Sequence, residues 1–97
     1  MDLCANDGYK LLIQALVAIQ NEDECKLFLD DLMTKKELLD IAQRMLVAKM
    51  LSEQAVYNKI VEETGASTAT ISRVNRCIQY GDGGYSTILK KIQEEQA

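Results

Sequence analysis

Between Ala66 and Gly81 the only charged side chains are Arg73 and Arg76. Ahead of them stand the short residues Thr68, Ala69, Thr70 and Ser72, and Asn75 lies between the two arginines. Hydroxyl, amide and guanidinium groups at this spacing suit hydrogen bonding to base edges and phosphates. Short polar side chains enter a major groove without collision, and arginine reaches a phosphate or a guanine edge. Asn75 could be bidentate to adenine or could bond the nearby backbone. Blander uses exist for the same residues. Thr70 and Ser72 also suit an ordinary solvent-facing helix side, and Arg73 also suits an ion pair with an acid of a neighbouring helix.

Other chemistry has little raw material. The chain has 97 residues, no histidine and three cysteines, Cys4, Cys25 and Cys77, with no CxxC spacing. A zinc site or a Cys–His nucleophile is not expected, and the thiols read as reduced. Without a glycine-rich phosphate loop or a nucleophile–base pair, an enzyme is the least favoured class, and no cofactor is implied. Net charge is −4. Residues 1–54 carry all of that excess, and residues 55–97 balance at zero. A locally basic surface on an acidic chain suits a sequence reader with few phosphate contacts, and equally a protein-interaction module. No apolar run approaches eighteen residues and no signal peptide is visible, so no membrane association and a cytoplasmic location are expected.

The elements that must position these groups read as helices. Apolar residues make up 47% of the chain, proline is absent and helix formers dominate. The spacing predicts a first helix over about Tyr9–Ile19. A second covers about Glu22–Leu32, capped by Asn21 with Glu24 as its capping-box partner. Its acidic first turn reads as a capped helix start, the other use being a cation site. A third helix, about Lys35–Leu51, starts from a Thr34 cap with Glu37. Leu38, Ile41, Ala42, Met45, Ala48 and Leu51 mark its apolar side, widened by Leu39, Leu46, Val47 and Met50. An arc so wide needs cover on several sides, which in a short chain points to a second subunit.

A joint at Ser52–Gln54 leads to a short helix over about Ala55–Thr64, ended by Gly65. Ser67 caps a further helix over about Thr68–Tyr80, stopped by Gly81-Asp-Gly-Gly. A last helix covers about Tyr85–Glu94. The pair around Gly-Ala-Ser has the outline of a helix-turn-helix, over about residues 55–80. Its small shared core would be Ile60, Ala66, Ile71 and Val74, with Gly65 and Ser67 building the turn. Val61 stands where a smaller residue is usual and should open the crossing angle slightly. Any helical hairpin is also punctuated this way, so spacing leaves a non-binding bundle open.

The run Thr64-Gly-Ala-Ser-Thr-Ala-Thr-Ile-Ser-Arg-Val-Asn-Arg resembles the tryptophan-repressor superfamily, and within it the TrpR-related YerC/YecD family of bacterial proteins. Asn21-Glu-Asp-Glu-Cys, Asp31-Leu-Met-Thr, Leu39-Asp-Ile-Ala-Gln-Arg, Val47-Ala-Lys-Met-Leu and Gly81-Asp-Gly-Gly-Tyr are similar to that family too, so the likeness spans roughly residues 8–90. It implies an all-α, six-helix fold forming a single domain over residues 1–97. It also implies an intertwined homodimer, with dimerisation helices at about 8–51 and 85–95, that presents two helix-turn-helix units to double-stranded DNA as a transcriptional regulator. The positions carried over for DNA contact are Thr68, Ala69, Thr70 and Ser72. With the residue reading, the expected DNA-binding set is Ser67, Thr68, Ala69, Thr70, Ser72, Arg73, Asn75 and Arg76. Asn58 and Val61 match positions that are basic near DNA in the repressor, so those contacts are not expected here. Arg44 and Arg73 match the two arginines that hold tryptophan. The residue after the second is glycine there and Val74 here, whose branches would fill the indole's space. A tryptophan site is therefore not expected. The two arginines are then left for structural or phosphate contacts, and a different small-molecule effector stays possible.

Overall fold

The computed structural model describes residues 2–96 and is all-helical among them. A short 3-10 turn, Leu3–Ala5, precedes α1 (Asp7–Ala18), α2 (Glu22–Leu32), α3 (Lys35–Ser52), α4 (Tyr57–Thr64), α5 (Thr68–Tyr80) and α6 (Gly84–Gln96). α2 and α5 have the expected bounds, and the others differ by one to two residues at an end. The internal contacts divide the chain into two compact units, one up to Lys35 and one from Lys36 onward.

The first unit is built from capped helix starts. Asp2 Oδ1 accepts from the Cys4 amide at 3.0 Å, and Asn6 Oδ1 accepts from the Tyr9 amide at 2.9 Å. Asn21 Oδ1 accepts from the Glu24 amide at 2.9 Å, as its type and spacing imply. The return bond differs by one residue from a capping box. Glu24 Oε1 accepts from the Gln20 amide at 3.0 Å rather than from the cap itself. No described residue of the 3-10 turn, α1 or α2 is buried. Leu11 is 66% exposed, Val17 79% and Leu27 70%.

The second unit holds the core. Val47, Ala48 and Met50 of α3, Ile60 of α4, Ala66 of the turn, and Ile71 and Val74 of α5 are buried together. Leu51, Ala55, Ile78, Tyr85 and Leu89 pack around them. The four residues expected for the helix-turn-helix core are all among the buried ones. The broad apolar arc of α3 is only partly covered within the chain. Only its C-terminal half reaches this core, while Leu39, Ile41 and Leu46 are exposed. The helix is 18 residues long, and the short elements around its second half cannot cover the first.

α3 ends with Gln54 in the left-handed region, at φ 64°. The Ala55 amide bonds the Met50 carbonyl at 3.0 Å and the Gln54 amide bonds that of Leu51 at 3.0 Å. These are the two bonds of a Schellman closure, which usually takes glycine at Gln54's position. The closure delays α4 to Tyr57, two residues later than its apolar pattern suggests.

Candidate nucleic-acid interface

α5 divides cleanly into two sides. Ile71 and Val74 are buried in the core, and Ile78 packs against it. Thr68, Ala69, Ser72, Arg73 and Arg76 are exposed, while Thr70 and Asn75 are half-buried on the flanks. Residues four apart lie one above the other on a helix, so Thr68, Ser72 and Arg76 form one exposed row and Ala69 and Arg73 the next. Apolar spacing fixes the inward side by burial. The polar row follows because it is what remains.

The turn before α5 is set by three neighbours. Gly65 adopts φ 71° and ψ 6°, and its amide bonds the Val61 carbonyl at 2.9 Å, closing α4. A non-glycine residue pays about 1–2 kcal/mol for that conformation. Ala66 follows with 2% exposure, so a larger residue there would force the two helices apart. Ser67 is the N-cap: its Oγ accepts from the Thr70 amide at 3.1 Å. The same hydroxyl donates to Thr70 Oγ1 at 3.0 Å. This leaves the Thr70 hydroxyl proton available to another acceptor.

Arg73 and Arg76 form no ion pair among the described residues. Asn75 Oδ1 receives a long bond, 3.5 Å, from the Gln79 side chain Nε2, rather than a bond from the nearby backbone. Val61, on α4, is 38% exposed. The exposed side of α5 continues past Arg76. Cys77, Gln79 and Tyr80 are also exposed, Tyr80 by 81%. The four-residue spacing from Arg73 and Arg76 would have reached Cys77 and Tyr80.

Arg44 is half-buried on α3 and Arg73 exposed on α5. Beside Arg73, Val74 fills the core with Val47, Ala48, Ile60 and Ile71, at 2% exposure. The branches of Val74 are thus part of this aliphatic core. A groove of about 680 Å³ lies elsewhere, between α3 and α6, lined by Met45, Leu46, Lys49, Leu89 and Ile92 among others. Neither arginine lines it. No described helix is long and apolar enough to cross a membrane.

Known proteins carry this same arrangement. The family model described as Trp repressor protein matches residues 7–93. An uncharacterized protein, YerC of Bacillus subtilis, is 46% identical over 85 residues, 88% of this chain and 82% of that one. The structure of a TrpR-like protein from Eubacterium eligens superposes with a TM-score of 0.87 at 43% identity, over 92% of each chain. That of a putative Trp repressor from Staphylococcus aureus gives 0.87 at 40% identity, over 93% of this chain and 90% of that one. With a match running from the start of α1 nearly to the end of α6, this chain belongs to the Trp repressor protein family.

Proposed function

We propose that this chain is a sequence-specific DNA-binding transcriptional regulator that acts as a homodimer, without enzymatic activity and without a response to tryptophan. The observation that carries the reading is the exposed polar row of α5, held outward by a buried opposite side and a capped N-terminus. Thr68, Ala69, Thr70 and Ser72 would face base edges. Arg73 and Arg76 would hold phosphates, aided by the helix N-terminus behind Ser67. Family membership and the likeness to a putative Trp repressor from Staphylococcus aureus support the same reading. The filled space at Val74 supports independence from tryptophan.

The dimer is supported by apolar side chains exposed on α1, α2, α3 and α6, including Leu11, Leu27, Leu39 and Ile88. Surface this apolar is ordinarily covered in solution. On this reading the whole chain serves one function: α4–α5 reads DNA, and α1–α3 with α6 pair two copies. Selection of bound sequences from a random DNA pool tests it. An enriched palindrome is expected, with half-sites about one helical turn apart. No enrichment overturns the proposal.

A second reading has its own support in the net charge of −4 and the small number of cations on α5. It makes the chain a protein-interaction module with an inactive helix-turn-helix. Salt separates the two. Specific DNA binding weakens steeply as salt rises because phosphate contacts release counterions.

A further inference from the structure

A polar contact ties the helix-turn-helix to α3. Gln43 lies one helical turn before Val47, at the edge of the core-facing side of α3, and is half-buried. Its Nε2 donates to the Thr64 carbonyl at 3.1 Å, across 21 positions of sequence. That carbonyl belongs to the last turn of α4, where carbonyls lack partners inside their own helix.

Thr64 passes the connection on. Its Oγ1 donates to the Ile60 carbonyl at 2.7 Å and accepts from the Ala66 amide at 3.1 Å. Ala66 leads directly to Ser67, whose hydroxyl holds the Thr70 amide and Oγ1. A continuous run of hydrogen bonds and backbone therefore joins α3 to the first turn of α5. It crosses Gly65, the position where the backbone is least restrained by its own residue type. Apolar packing of Ala66 and Ile71 sets how close the helices come. It is non-directional and does not by itself set the aim of the α5 N-terminus. A hydrogen bond tolerates only a few tenths of an ångström and a limited angle, so it can.

We propose that Gln43 is a positioning residue for the reading helix: by holding the Thr64 carbonyl it fixes the turn, and through the turn the aim of Thr68, Thr70 and Ser72. This rests on the DNA-reading proposal above. Because α3 also presents exposed apolar side chains for pairing, the same contact links the pairing helix to the reading helix.

The test uses Gln43→Met, which keeps length and removes the donor, and Gln43→Glu, which keeps shape and puts an acceptor against the carbonyl. Affinity is measured for the sequence selected with the parent protein and for an unrelated duplex of equal length. Backbone amide spectra of Gly65 to Thr70 are recorded without DNA, with thermal melting as a check of folding. Specific affinity should fall roughly tenfold in Gln43→Met, the scale of one lost hydrogen bond, with affinity for the unrelated duplex unchanged. The fall should be at least as large in Gln43→Glu. A purely structural role would instead lower melting and weaken both duplexes together, and that result overturns the proposal. So does specific affinity within twofold of the parent in both variants. If the parent binds no duplex, the DNA reading fails on its own, and the amide spectra then decide whether Gln43 holds the turn: displaced signals support the tie, and unmoved ones overturn it.

Discussion

Ser67 and Thr70 concentrate much of the local information. Ser67 satisfies one amide of the α5 N-terminus and also orients the Thr70 hydroxyl. Ser67→Ala should cost about 1 kcal/mol of stability, measured by chemical denaturation, because a cap hydrogen bond is lost. It should also weaken specific DNA binding more than nonspecific binding. Thr70→Asp and Arg76→Glu should each weaken binding by tenfold or more without unfolding the protein, since both side chains lie outside the core. If both bind a selected site as well as the parent, α5 is not the reading helix. Val74 makes a separate claim. Tryptophan at millimolar concentration should leave the melting temperature of the parent unchanged, because a ligand that binds only the folded state would raise it. A clear rise would show that the ligand finds room despite the branched side chain.

At the scale of elements, two helix ends in the left-handed region behave oppositely on substitution. Gly65→Ala should cost about 1–2 kcal/mol. A Cβ there meets nothing within 4 Å, so the penalty is conformational alone. Gln54 sits at φ 64° where glycine is the easier occupant. Gln54→Gly should therefore raise stability, by about 0.5 kcal/mol after the extra entropy of the unfolded chain is counted. Denaturant midpoints of the two variants should move in opposite directions. Gly81 is a third case. A Cβ there would collide with the Cys77 carbonyl oxygen, so Gly81→Ala should disturb the end of α5 by collision rather than by backbone strain.

At the scale of the whole molecule, the question is what covers the apolar side chains. The first unit has no buried residue among those described, although α1 and α2 are both amphipathic. Sedimentation should give a mass of twice 10.9 kDa. Leu39→Asp should shift it toward one chain mass, because a charge placed in a covered apolar surface is costly to desolvate. A parent that sediments as a single chain would remove the paired-copy part of the proposed function. A parent that pairs while Leu39→Asp pairs equally well would move the interface off that part of α3.

Much of this was legible along the chain for a physical reason: helix periodicity, caps and glycine stops are local. Asn21, Ser67 and Gly65 act within four residues, so the bounds of α2 and α5 and the inward residues Ile60, Ile71 and Val74 could be read without tertiary contacts. Gln54 hid the start of α4, because its side chain gives no sign of the left-handed closure that delays that helix. The outward row of α5 was legible as the complement of its apolar side, and it stopped at Arg76 only because Cys77 and Tyr80 were not counted with it. What the tertiary structure alone decided is non-local. It placed only half of the broad apolar arc of α3 in the core and brought Gln43 to the Thr64 carbonyl. Such contacts depend on how helices far apart in sequence cross, and no periodicity within one helix encodes that. The sequence by itself therefore determined six helices with a capped, polar-faced one among them. The packing of α3 against the turn decided how that face is held.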